Sequence, residues 1–350
     1  MKTLSLVIGL VLLAQTDAQA QVSVTAKTDS LIELGIQYTI QQAYEKAEAI
    51  FTEIENEMPD SPVGYFFHAA TLQSKMMDYE IYDEEDAFFA LAEKTVKLSQ
   101  MCLKKDRKNP WTYFFLGGGL GYIAFYQAKQ KRYLEGFQNG LKSIKALEMT
   151  LKADTTFYDA YFGLGTYKYY RSKLSRHFKW LPFVSDERMQ GLAMIQLAIS
   201  RGKYTRYAAM NGYCWIALAE GDLNEGMRIL KQALSEFPTS RVFLWCAAKM
   251  STKLQKWPDA LHYYNTILAS LQNENKLSLY NEVSCRQKLA AIYLQLGNFD
   301  KALEEYKKVQ ALDINGKTKK RLSQTLKKLE KVKNISYKKL GDAQYKPGAF

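Results

Sequence analysis

A chain of 350 residues with a net charge of +12 and only four cysteines excludes a disulfide framework. No CxxC or Cys/His spacing is present, so a cysteine-based metal site is excluded as well. Seven prolines and twenty glycines, against 24 tyrosines and 17 phenylalanines, favour long aromatic-packed helices over turn-rich sheets.

The chain opens with Lys2, an apolar run from Leu4 to Leu13 and then Ala18-Gln19-Ala20 before Gln21. A charged start, a short apolar stretch and an A-x-A site predict a secretory signal peptide over 1–20, and so an exported protein of the periplasm or cell envelope. Gln15, Thr16 and Asp17 interrupt the run well before the roughly 20 apolar residues that a spanning helix needs. No later segment is apolar enough to span a bilayer, so the chain from about Gln21 is expected to be soluble.

Residues 28–61 carry Gly35, Tyr38, Ala47, Phe51, Ile54 and Pro59. The same spacing of small, bulky and proline residues returns at 207–240, as Tyr213, Cys214, Gly226, Leu230, Ala233 and Pro238. It returns again as Ala248, Ala260, Tyr264 and Ile267, and then as Ala290, Tyr293, Ala302, Tyr306 and Val309. These segments resemble the tetratricopeptide-repeat family, whose unit is two antiparallel helices in about 34 residues. The resemblance implies an all-α solenoid, a right-handed superhelix of about seven helix pairs with a C-terminal capping helix.

Between 62 and 206 the helix pairs persist with looser spacing. One helix runs from Tyr65 to about Met77, and acidic residues from Glu80 to Asp86 then open a long second helix by complementing its dipole. The next helix begins at Trp111 and holds Gly117, Gly118, Gly119 and Gly121, which predict very close helix contact or a break in the helix. They form no nucleotide loop, because neither a Rossmann pattern nor a P-loop lysine follows. The fourth unit has an expanded connection over roughly 171–184 that gathers Arg171, Lys173, Arg176, His177, Lys179 and Trp180. From Gly163 to Leu192 the chain resembles an outer-membrane-associated inclusion-body-clearance tetratricopeptide family. Arg171, Lys173, Arg176, Lys179 and Trp180 are a candidate contact with an anionic membrane surface, the alternative to a purely structural loop.

The three regular units at 207–316 supply the expected binding surface. The family resemblance places groove residues at Ala208, Asn211, Trp215 and Leu218, then Val242, Trp245, Lys249 and Thr252, then Ser284, Gln287, Ala291 and Leu294. Asn211, Trp215, Trp245 and Lys249 are the candidate partner-binding residues, since aromatic side chains with polar neighbours dominate hot spots. Packing of Trp215 and Trp245 between units is the alternative. Chaperone-binding members of the family clamp a carboxylate with lysine and asparagine, and tryptophans stand at several of those positions here.

Cys102, Cys214, Cys246 and Cys285 lie in apolar helical stretches and read as buried free thiols, a Cys214–Cys246 bridge being the alternative in an oxidising compartment. His68 and His262 sit in aromatic stretches and read as packing residues. With no G-x-S-x-G, H-E-x-x-H or EF-hand loop, the expectation is a non-enzymatic scaffold with no catalytic residue, cofactor or metal. A catalytic carboxylate pair formed only in space, on an uncharacterised solenoid enzyme, is the remote alternative.

The C-terminal segment, 317–350, holds eleven Lys or Arg against Glu330 and Asp342. Leu322, Leu326, Leu329 and Val332 form one apolar stripe, so a basic capping helix and tail are expected. Export sets nucleic acid aside as its partner; salt-sensitive contact with lipid is the rival to simple capping. Asn334-Ile335-Ser336 is a formal glycosylation sequon.

Overall fold

Why each helix begins where it does is written in its caps. Thr25 accepts the amide of Thr28 and opens α1, Ala26–Ile40; Asn109 does the same for Thr112, with Pro110 as the first helical residue of α5, Pro110–Lys129. Each side chain satisfies an amide that the first turn leaves without a helical partner. The computed structural model describes residues 24–175, 186–272, 274 and 278–344; the expected signal peptide, together with Arg176, Lys179 and Trp180, lies outside them.

Among the described residues the chain forms sixteen helices and no strand. After α1 come α2 (Tyr44–Glu57), α3 (Val63–Tyr79) and α4 (Glu85–Lys105). Beyond α5 lie α6 (Tyr133–Ala153), α7 (Ala160–Ser175), α8 (Arg188–Arg201), α9 (Arg206–Glu220) and α10 (Leu223–Glu236). The last regular units are α11 (Arg241–Lys253) with α12 (Trp257–Gln272) and α13 (Leu279–Gln295) with α14 (Phe299–Gln310). Short α15 (Gly316–Arg321) and long α16 (Ser323–Gln344) end the array. Helices therefore pair in sequence, seven times, and α16 packs on both α13 and α14 to close the last pair. This is the expected all-α array of seven helix pairs with its C-terminal cap.

Turn chemistry repeats along the array. A left-handed residue follows the first helix of six pairs: Gln42, Glu80, Lys131, Gly221, Gln255 and Gly297. Only two of these are glycine, so four turns hold a side chain in a conformation that costs roughly 1–2 kcal/mol outside glycine.

The glycines of α5 do what their density predicts. A Cβ at Gly117 would lie 2.8 Å from Leu147 and one at Gly118 2.4 Å from Phe66, so bare backbone lets α6 and α3 approach the helix. The crossing of α7 and α8 is closer still, since a Cβ at Gly165 would sit 2.6 Å from the Gly191 carbonyl. Gly35 leaves room for the Phe51 ring, the position-8 to position-24 contact of the first unit.

Several readings need correction. Helix α7 runs to Ser175, so Arg171 and Lys173 belong to a helix and not to the expanded connection. Ion pairs anchor both, Arg171 to Glu187 and Lys173 to Glu220. The stripe expected on one helix is divided between α15 and α16 at Leu322, although Leu322, Leu329 and Val332 are buried as the pattern requires. Glu80 caps α3 rather than opening α4, whose first turn holds Glu85 and Asp86. His262 is exposed, while His68 meets the Glu55 carboxylate at 2.8 Å. The sequon serine, Ser336, is fully buried within α16. All four cysteines are free and buried, so Cys214 and Cys246 are not bridged.

The array also closes on itself. Asp29 of α1 meets Lys203 and Tyr204 just before α9. At the other end of α1, Ser240 donates to the Ile40 carbonyl at 2.7 Å and the Arg241 amide donates to Gln42 at 3.0 Å. One unit further, Ser278 and Asn281 donate to the Tyr79 and Asp78 carbonyls. Arg241 joins the two layers: its Nε and Nη2 grip the Asp78 carboxylate, and its Nη1 reaches Glu274 and Ser270. The first two helix pairs thus rest on the leading ends of α11 and α13.

Candidate concave site

The face that the first helices of the fifth to seventh pairs leave uncovered follows from their burial pattern. Along α11 every residue from Arg241 to Ser251 is buried except Val242, Trp245 and Lys249. That spacing of three and four is one helical face. On α9 the corresponding face carries Ala208, Asn211, Trp215 and Leu218, and on α13 it carries Ser284, Lys288 and Ala291. Ten of the twelve expected groove positions are therefore only partly buried or exposed on this face, with Leu294 just beyond it. Gln287 is the exception: at 5% exposure it belongs to the core, and Lys288 takes its place.

Both tryptophans divide their surface between core and groove. Trp215 packs on the cluster that holds Tyr213 and Met250, and Trp245 meets the Tyr264 ring edge-on at 6.2 Å. Each remains partly exposed. The Lys249 ammonium stands 4.4 Å from the Trp215 ring centre, a cation–π contact that fixes both side chains in the groove. Asn211 contributes a buried Oδ1 that accepts no hydrogen bond among the described residues.

Positive charge accumulates along this face. Burial and the neighbouring Lys288 ammonium hold the Lys249 amine below its ordinary value. In turn, burial and Lys328 of α16 lower Lys288. Neither Lys249 nor Lys288 forms an ion pair among the described residues, although Glu80 lies close enough to favour the Lys249 charge. Glu80 itself is held by Arg321, whose guanidinium also stands 4.4 Å from the Tyr280 ring centre. Repeat register places Trp215, Trp245, Asn211 and Lys249 on this partly exposed face, and it does not name Lys288 or Lys328. The signal for Lys288 was available: it lies one helical turn after Ser284 on the same face.

The remaining buried charges hold the array together. Arg286 is enclosed with Glu282 and Glu305 at 2.7–3.0 Å. Asp159 accepts the amides of Tyr204 and Thr205 at 2.8 and 2.7 Å, which ties α7 to the start of α9. Among the described residues no three His, Cys, Asp or Glu side chains gather as metal ligands, and no helix is long and apolar enough to cross a membrane.

Fold and site together define an all-α array of helix pairs with a cationic, tryptophan-bearing, partly exposed face. No protein-family model and no curated protein matches the chain, and the resemblance of 163–192 to the inclusion-body-clearance family finds no support there. Some solved structures are distantly similar. PilW, a type IV pilus biogenesis factor, is 15% identical with a TM-score of 0.45, over 70% of this chain and 94% of that one. The C-terminal part of a TPR repeat-containing protein from Cytophaga hutchinsonii is 16% identical with a TM-score of 0.44, over 82% and 97%. Human IFIT1, a dimer solved with m7Gppp-AAAA, is 14% identical with a TM-score of 0.42, over 86% and 65%. At these identities the functional reading rests on the chain's own residues.

Proposed function

We propose that the protein is an exported, non-enzymatic scaffold that holds an acidic segment of a protein partner against its concave face. The observation that carries this reading is the Lys249 ammonium 4.4 Å from the Trp215 ring centre, with Lys288 close to it and Lys328 close to Lys288, none of the three in an ion pair among the described residues. Like charges kept close in a partly desolvated groove repel one another, and a bound carboxylate relieves that repulsion. The aromatic faces add apolar contact that a free anion cannot use. Export rests on the first twenty residues, and a pool released by osmotic shock is the matching observation.

The test uses an acidic peptide that carries one aromatic residue and its Gln/Asn counterpart. The wild-type protein is expected to prefer the acidic peptide by at least ~10-fold, a preference that falls with salt. Lys249→Glu with Lys288→Glu is expected to abolish that preference while leaving the helical signal intact. Equal binding of the two peptides, or an unchanged preference in the charge-reversed variant, overturns the reading.

A further inference from the structure

Helix α6 opens with apolar side chains that nothing covers. Tyr133, Leu134 and Phe137 are 63–70% exposed, and Leu141 and Phe125 of the adjoining α5 are 44% and 47% exposed. Residues 133, 137 and 141, with 134 beside them, share one outward face, opposite the buried Gly136, Ser143, Ala146 and Leu147. Isolated exposed apolar residues are ordinary, but five in one patch are not. Exposed Lys131, Lys142 and Lys145 flank the patch and form no ion pair among the described residues, while Arg132 pairs with Glu135. Lys142 and Lys145 also border a separate cleft of about 630 Å³ between α4, α5 and α6, lined by Val96, Leu120, Ile123 and Met149.

We infer that the first half of α6 is a docking surface for an anionic lipid bilayer. Aromatic and leucine side chains projecting from a helix between lysines match an interface that is apolar below and negatively charged above. A second copy of the chain fits less well. The stripe on α6 is only about 12 Å long, and Phe125 of α5 adds one side chain to it, short of the ~800 Å² per partner that a stable interface buries. This surface lies on the second helix of its pair, and none of its residues belongs to the concave face, so the inference stands independently of the groove reading.

The chain beginning at Gln21 retains every described residue and serves for the test. It is expected to co-sediment with phosphatidylglycerol-containing vesicles and not with pure phosphatidylcholine. Leu134→Ser with Phe137→Ser is expected to lower the bound fraction at least ~10-fold, and Lys142→Gln with Lys145→Gln to lower it severalfold. These positions are exposed, so both variants keep the wild-type helical signal. Because the four native cysteines are buried, Phe137→Cys can be labelled selectively with an environment-sensitive dye. Its emission is expected to shift to the blue on phosphatidylglycerol vesicles, whereas a dye at exposed Glu304→Cys does not shift. Binding that survives Leu134→Ser with Phe137→Ser, equal dye responses at the two sites, or no vesicle binding by the wild type overturns the inference. So does a dimer in solution that the same double substitution dissociates. The groove variant Lys249→Glu with Lys288→Glu should still bind vesicles, which separates this result from the peptide assay.

Discussion

Replacing Arg241 with alanine tests the closure of the array directly. The side chain is 1% exposed and Asp78 is 5% exposed, so the substitution strands a carboxylate away from water. Glu274, at 25% exposure, can turn to solvent and adds little. Breaking a buried pair by removing one partner costs about 3–5 kcal/mol, mostly the penalty of the charge left behind. Asp78→Leu with Arg241→Met removes both charges and should cost much less than the two single changes together. The assay is denaturant unfolding followed by circular dichroism, read as a double-mutant cycle with an expected coupling of at least ~2 kcal/mol. Small-angle scattering on the same samples should show a larger radius of gyration for Arg241→Ala. The pH dependence carries a definite sign. Burial, opposed by Arg241, already raises the Asp78 carboxyl above its ordinary value, and losing Arg241 raises it further. The folded variant then takes up a proton more readily than the unfolded one, so its deficit is full at neutral pH and shrinks as pH falls through the folded value. A loss below about 1 kcal/mol at pH 7, or a deficit that grows on acidification, refutes this account of the closure.

Gly165→Ala should destabilise by at least ~2 kcal/mol, because its methyl meets the Gly191 carbonyl and the backbone of Ile195. Gly221→Ala, with φ of +91° and open space around the Cβ, should cost only about 1 kcal/mol; melting curves that reverse this order contradict the packing described. Partial burial opposes ionisation of Asp29, but hydrogen bonds from Lys203 and Tyr204 outweigh it and hold the carboxyl below its ordinary value. Its contribution is therefore present above the unfolded-state value and lost as pH falls through the folded one. The stability gap between the wild type and Asp29→Asn should accordingly narrow between about pH 5 and pH 2, and a constant gap argues against the contact. Burial pushes the Cys246 thiol up to about 12 and Cys214 higher still, so thiol reagents should modify neither in the native protein at pH 8 and both after denaturation. Rapid native labelling would place them at the surface.

Much of the architecture was legible because its determinants are local. Gly226 and Leu230, or Ala302 and Tyr306, announce a close helix pair within a dozen residues of the partner that they meet. The glycine run at 117–121 stated its purpose equally plainly. Closure was not legible, since Arg241 and Asp78 are 163 positions apart and nothing in either neighbourhood names the other. At Arg171 and Lys173, charge obscured the helix: a basic run reads as a loop unless Glu187 and Glu220 are known to be waiting. The α6 stripe misleads in the opposite sense, because apolar residues four apart usually signal a core. Repeat register alone placed Asn211, Trp215, Trp245 and Lys249 on a partly exposed helix face. Lys288 was missed because register counted from the start of its unit gives Gln287, one residue off the exposed face.

The contact between Asp78 and Arg241 also sets a clock. Ribosomes add roughly 5–20 residues per second, so Asp78 emerges about 8–30 seconds before the arginine that will neutralise it. Throughout that interval the first two helix pairs have their nearest neighbours but not their distant ones. Ile40, at the apolar end of α1, has no cluster to enter until α9 to α11 exist. A nascent chain of this design gains from remaining unfolded until its C-terminal half has been made. The closing step then occurs late, after loop formation across more than half of the array.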